Sequence, residues 1–163
     1  MTYSYYLSLG SNINPKILYL KKAIDQLNQI GKIRKKSNIY LTQPWGDKDQ
    51  PEFYNAMIEY QSGLSPEKLL AKIKKIEYEI GRRKTYKWGP RKIDIDLIFC
   101  KGVVLSKSYL NLPHKEFNNR LFILKLMAEL NKNYIVDGTK KSIKYFLKHC
   151  PDKSNIEKMD LVW

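Results

Sequence analysis

Hydrophobic positions along the chain switch repeatedly between a period of two and a period near 3.6, and the switches divide it into elements. Tyr3 to Leu9 reads as a strand that ends at Gly10-Ser11-Asn12. Asn14-Pro15 then opens a helix, Asn14 capping and Pro15 taking the first helical position. Ile17, Leu20, Ile24 and Leu27 share one face of it, and Gly31 is its stop. Ile33 to Thr42 is a strand, residues 43–51 a loop, and Phe53 to Gln61 a further strand. Ser65-Pro66 restarts a helix with Leu69, Ile73, Ile76 and Ile80 as its apolar stripe and Gly81 as its end. After a basic loop over 82–91, Lys92 to Cys100 alternates, with Ile93, Ile95, Leu97 and Phe99 on one face and Asp94, Asp96 and Ile98 on the other. Lys101-Gly102 turns into Val103-Val104-Leu105. Arg120 to Leu130 reads as helix, Tyr134 to Val136 as a short strand and Ser142 to Leu147 as a last helix.

The order β-α-β-β-α-β is that of the split βαβ unit. It predicts an α+β fold, a ferredoxin-like βαββαβ core with one antiparallel sheet, helices packed on it and a C-terminal extension. With 163 residues and no interdomain linker, the chain is expected to form one domain over 1–163. Two cysteines, Cys100 and Cys150, are too few for a disulfide framework and read as reduced thiols in a cytoplasmic protein. No basic-then-apolar leader and no long apolar run is present, so neither a signal peptide nor a membrane partner is expected.

Charge changes the picture. Thirty Lys and Arg against sixteen Asp and Glu give a net charge of +14, which calls for an anionic partner. Most of the excess is lysine, in a chain also rich in Ile, Asn and Tyr, and much of it reflects composition alone. The arginines carry more information: Arg82, Arg83, Arg91 and Arg120 fall within forty residues, whereas Arg34 stands apart. The planar guanidinium fork suits phosphate, which points to a phosphate-bearing small molecule.

Within that arginine-rich stretch, Asp94 and Asp96 stand two apart on a strand, so their carboxylates project side by side. Such a pair repels itself unless a cation lies between, and magnesium, which takes carboxylate and phosphate oxygens, fits. Arg91 stands three residues upstream to meet the phosphates.

The segment Trp88-Gly89-Pro90-Arg91-x-x-Asp94-x-Asp96-Leu97-Ile98 resembles the signature of the 6-hydroxymethyl-7,8-dihydropterin pyrophosphokinase family. Four further blocks agree in order: Tyr6 to Asn12; Thr42-x-Pro44-x-Gly46 with Asp49-Gln50-Pro51-x-Phe53-x-Asn55-Ala56; Glu77 with Gly81-Arg82; and Leu112-Pro113-His114 with Arg120-x-Phe122-x-Leu124. The resemblance covers residues 5 to about 130 and implies a ferredoxin-like fold and pyrophosphoryl transfer from ATP to the pterin hydroxymethyl group in folate biosynthesis. It further implies that Asp94 and Asp96 hold two magnesium ions and that Arg82 and Arg91 meet the charge of the transferred group. By the same resemblance ATP is bound by Lys74, Glu77, Arg82, Trp88, Arg91, Leu97, His114 and Arg120, and the pterin by Thr42, Gln43, Trp45, Phe53, Asn55, Asp94 and Phe122. Three positions depart from the family's pattern. Gly81-Arg82-Arg83-Lys84 stands where Gly-Arg-x-Arg is common, so either Arg83 or Lys84 is a candidate for the second loop cation. Tyr109 replaces an arginine, and Lys115, after His114, becomes a candidate replacement contact to phosphate.

The loops 43–51 and 82–91 have the composition of lids. The resemblance implies small-molecule substrates, no nucleic-acid partner and a monomer. A rival reading, a basic RNA-recognition module of the same fold, lacks the aromatic strand pattern of such modules and sets Asp94 and Asp96 against phosphate. A catalytically silent scaffold is disfavoured because both aspartates, both arginines and Asn55 are present.

Overall fold

The computed structural model describes all 163 residues. In chain order the strands and helices are β1 (Tyr3–Ser11), α1 (Lys16–Leu27), β2 (Lys32–Lys36), β3 (Ile39–Thr42), β4 (Phe53–Ser62), α2 (Pro66–Ile80), β5 (Asp94–Cys100), β6 (Leu105–Ser106), β7 (Asn111–Leu112), α3 (Leu121–Asn131), α4 (Ile143–Lys148) and β8 (Ile156–Met159). The main sheet runs β5-β1-β4-β3-β8, with β2 also pairing β4, and all its pairings are antiparallel. Its first four positions have the strand order expected of a split βαβ core, and β8 extends it. A separate ribbon joins β6 to β7.

Helices cover both faces. Leu20, Ala23 and Leu27 of α1 and Leu69, Ile73, Ile76 and Ile80 of α2 pack on Leu7, Leu9, Ile58, Ile95 and Leu97. On the other face, Leu124, Met127 and Ile143 from α3 and α4 pack on Tyr6, Met57, Ile98 and Phe99. Burying these side chains removes apolar surface from water on both sides of one sheet, the main stabilising contribution in a fold of this kind. Gly81 ends α2 in the left-handed region at φ 112°, where a side chain would be strained.

Several local expectations are corrected. β1 continues through Gly10 to Ser11 because both remain paired with β4. Pro15, in extended conformation, occupies the capping position of α1, so Asn14 does not cap it, and α1 stops at Leu27, before Gly31. The strand expected over Ile33 to Thr42 is two strands. It breaks where Ser37 turns inward: its hydroxyl accepts from Met57 N–H at 2.8 Å and its carbonyl accepts from the Trp163 indole at 2.8 Å. Phe99 lies on the α3 face and not with Ile93, Ile95 and Leu97. The pairing of β5 with β1 slips between Leu97 and Phe99, a bulge at Ile98 that puts Ile98 and Phe99 on the same side. Val103-Val104 precede a strand instead of forming one, and Tyr134 to Val136 makes only an isolated bridge from Ile135 to Ser142. The last helix does begin at a capping Ser142, whose hydroxyl accepts from Tyr145 N–H at 3.2 Å. No helix is long and apolar enough to cross a membrane.

Candidate active site

Three adjacent strands, β5 at the sheet edge with β1 and β4 beside it, come together at one end, and each contributes a pair of residues two apart to the face that carries α3. These are Ser8 and Gly10 on β1, Phe53 and Asn55 on β4, and Asp94 and Asp96 on β5. Register fixes their adjacency: Ser8 pairs with Asp96, and Gly10 with both Asp94 and Asn55. Beyond them on the same face the sheet turns apolar. The polar ends floor a cleft of about 270 Å³. Gln43 and Trp45 enter from loop 43–51, Arg82, Trp88 and Arg91 from loop 82–91, Lys74 from the middle of α2, and His114, Arg120 and Phe122 from the approach to and first turn of α3.

At the acidic end, Asp94 is gripped by two arginines. Arg82 Nη1 donates to its Oδ1 at 2.8 Å and Arg91 Nη1 to its Oδ2 at 3.1 Å. Burial acts to raise its pKa, but the charges of Arg91 and Arg82 outweigh it and hold the carboxyl below the usual range. Asp96 has no cation within ion-pair distance. Burial and then the neighbouring Asp94 charge push its pKa up to about 7. This is a pair of hard oxygen donors, one of them lacking a counter-charge, and the donor set suits magnesium. Glu77, nearly buried at 3% exposed, pairs with Arg82 and with Lys74 at 3.0 Å and so orients two cleft cations.

Two further groups favour an anion. Arg120 carries its guanidinium 5.1 Å from the Trp45 ring centroid, and its Nε is buried without a hydrogen-bond acceptor. A buried donor left unpaired is costly, and a phosphate oxygen would satisfy it. His114 is held below its usual pKa by burial and by Arg120, so it is neutral at pH 7. Its Nδ1 accepts from Glu116 N–H at 3.1 Å, which leaves the ring proton on Nε2 as a donor.

The other end is aromatic and amide-lined. Asn55 Nδ2 donates to Thr42 Oγ1 at 2.7 Å in a buried pair, which fixes the amide orientation beside Phe53. Gly10 is needed there, because a Cβ at that position would come within 2.4 Å of Asn55 Oδ1. The two loops also meet: Gln50 takes the Asn12 amide at 2.8 Å and donates to the Trp88 carbonyl at 2.6 Å. Gly46, at φ 85°, lets the Trp88 ring approach where a Cβ would lie only 2.5 Å away.

Most of the residues singled out from the sequence converge on this cleft, and four do not line it. Thr42 lies behind Asn55, and Glu77 supports Arg82 in an adjoining basic cavity of about 580 Å³. Leu97 is in the core and Lys115 is exposed on the surface. Both Arg83 and Lys84 line the basic cavity, where Arg83 folds back 4.1 Å over the Tyr78 ring; Tyr109 is largely exposed. Ser8 and Gly10 line the cleft and were not assigned a role from the sequence. Their pairing with the aspartates is the signal that finds them.

Comparison with known proteins agrees with this geometry. The family described as 7,8-dihydro-6-hydroxymethylpterin-pyrophosphokinase (HPPK) matches residues 6–132. The 2-amino-4-hydroxy-6-hydroxymethyldihydropteridine pyrophosphokinase of Aquifex aeolicus is 39% identical over 141 residues, 86% of this chain and 88% of that protein. The protein of the same name from Bacillus subtilis is 37% identical over 127 residues, 77% of this chain and 76% of that one. A crystal structure of Plasmodium falciparum HPPK-DHPS, wild type with STZ-DHP, superposes with a TM-score of 0.72 at 17% identity, over 91% of this chain and 43% of that chain, a likeness of fold. The matched segment contains every residue that lines the cleft, and the chain belongs to the 7,8-dihydro-6-hydroxymethylpterin-pyrophosphokinase family.

Proposed function

We propose that this chain, as one domain, transfers pyrophosphate from ATP to 6-hydroxymethyl-7,8-dihydropterin in the cleft at the ends of β1, β4 and β5, as a step of folate biosynthesis. The observation that carries the reading is a juxtaposition. Two carboxylates set among Lys74, Arg82, Arg91 and Arg120 adjoin a pocket of Phe53, Asn55, Trp45 and Phe122. One end suits a metal-bound polyphosphate, the other a flat ring with an amide-like edge.

In the reaction a bond forms between the pterin hydroxymethyl oxygen and the β-phosphorus of ATP, the bond from that phosphorus to the α-phosphate's bridging oxygen breaks to release AMP, and the hydroxyl proton passes to solvent. Phe53 and Phe122 hold the ring by its faces, and Asn55, oriented by Thr42, reads its edge. Asp94 and Asp96 would hold the two magnesium ions, which would supply positive charge against the polyphosphate and Lewis-acid polarisation at the reacting centre. Arg82 and Arg91 exchange Asp94 for phosphate oxygens when ATP enters, which frees the carboxylate and sets both guanidiniums where negative charge develops. His114 Nε2–H and the unpaired Arg120 Nε donate to phosphate oxygens. Transfer at phosphorus is mostly positioning and electrostatics, so no covalent nucleophile is needed. Loops 43–51 and 82–91 close as lids and exclude water, and Gln50 ties them together. Lys115 is kept as a candidate phosphate contact, reached only if the segment after His114 moves on ATP binding.

Two buried free cysteines are consistent with a cytoplasmic thiol protein, and we assign the chain as a monomer there. The test is AMP release from ATP with magnesium on addition of 6-hydroxymethyl-7,8-dihydropterin, and its loss in excess chelator. No pterin-dependent AMP, or AMP formation indifferent to chelator, would overturn the reading.

A further inference from the structure

Two cleft residues depend on how one helix starts. Arg120 sits at the capping position of α3 and Phe122 is in its first turn, so the direction of that turn sets where the guanidinium and the ring reach. Nothing local secures it. Arg120 offers no side-chain acceptor, and the first turn holds no acidic residue. Unsatisfied N–H groups at a helix start leave the first turn free to fray.

The missing cap comes from far along the chain. Asp152 Oδ2 accepts the Leu121 N–H at 2.9 Å, and Asp152 Oδ1 accepts the Ser154 N–H at 2.8 Å, which pins the carboxylate's own orientation. Burial acts to raise the Asp152 pKa. The hydrogen bonds from Leu121 and Ser154 and the nearby Lys48 charge outweigh that and hold it low, as expected of a carboxylate engaged at a helix N-terminus. The same stretch is anchored on both sides. Cys150 is buried under α3 and α4, and Ile156 pairs in register with Thr42. Asp152, Ser154 and Ile156 also wall a cavity of about 370 Å³ that shares Gln43, Trp45 and Phe122 with the cleft.

We propose that Asp152, outside the family-matched residues 6–132, is a positioning residue for the substrates. It fixes the first turn of α3 and so places Phe122 against the pterin ring and Arg120 against phosphate. The proposal rests on the assignment of the cleft above. It predicts that the C-terminal segment tunes substrate binding without touching substrate.

The test uses the full chain with Asp152→Ala and Asp152→Asn, each alone and combined with Phe122→Ala. Wild-type protein is assayed first for pterin-dependent AMP release; failure there concerns the reaction, not Asp152. With activity present, Asp152→Ala is expected to raise the KM for the pterin about fivefold, the scale of a lost helix cap. Asp152→Asn, which keeps one acceptor oxygen, should recover part of it. In the Phe122→Ala background the Asp152→Ala penalty on pterin KM should largely vanish, because both changes remove the same placement. Should Asp152→Ala fail to fold, the same non-additivity is read with Asp152→Asn. A lower melting temperature with unchanged KM, or penalties that multiply in the double variant, would overturn the proposal and leave Asp152 a structural cap only.

Discussion

The two faces of the central sheet are built from the same strands yet differ in kind. Toward α1 and α2, Leu7, Leu9, Ile58, Ile95 and Leu97 are buried from one end to the other. Toward α3 and α4 the face is divided. Tyr6, Met57 and Phe99 form a core, and a few residues further along the same strands Ser8, Gly10, Asn55, Asp94 and Asp96 form the cleft floor. The uninterrupted face can hold the backbone in register while the divided face carries a carboxylate pair set there for the cleft. A half-buried carboxylate pair is tolerable because the residues between, Leu9 on β1 and Ile95 on β5, are anchored on the opposite side.

The contrast can be broken most sharply at the aspartates. Asp94→Ala and Asp96→Ala should each lower AMP production by about 10²-fold or more, the scale of losing a preorganised electrostatic partner of the transition state. Melting temperature should stay close to wild type. A large loss of stability would mean that the cleft end also holds the fold together; near-normal turnover under saturating magnesium would remove the metal assignment.

The opposite outcome is expected across the sheet. Leu7→Ala, on the fully buried face, should cost ~2–5 kcal/mol of unfolding free energy, as large-to-small core changes do. In denaturant titration the midpoint should fall, while KM and kcat per folded molecule remain near wild type. A selective change in KM would show that the two faces are mechanically coupled.

The smallest effect is expected at Gly10, the smallest residue on the cleft floor. Gly10→Ala places a methyl against Asn55 Oδ1 and should weaken pterin binding about tenfold, roughly the loss of one well-formed hydrogen bond. ATP-analogue affinity, read by the same calorimetric titration, should change less. Equal losses for both ligands would indicate that the methyl distorts the whole cleft.

What could be read from the sequence followed the range of the forces involved. The stripe of α2, its glycine stop and the alternation of Asp94 to Leu97 are local patterns and were legible. The break at Ser37 was not, since it depends on Met57 and Trp163, and β8 was not, since Ile156 to Met159 has no apolar alternation and exists by pairing with β3. The aspartates, arginines and aromatics of the cleft announced themselves by chemistry and by their family spacing. Ser8 and Gly10 are small and chemically quiet, and only strand register brings them to the site. Asp152 is likewise invisible until a contact 31 residues apart in sequence is known.

The bulge at Ile98 lets one strand obey two phases. Upstream of it, odd-numbered residues face α1 and α2 and the even-numbered aspartates face the cleft; downstream, Phe99 faces the α3 side and Cys100 the other. The single unpaired residue acts as a phase shifter, so the constraint that places two carboxylates at one end need not dictate which side chains pack at the other. Deleting Ile98 would restore a uniform pleat with Phe99 and Cys100 on their present sides, whereas pairing Ile98 regularly with β1 would turn Phe99 and Cys100 over or rotate both aspartates into the hydrocarbon layer beneath.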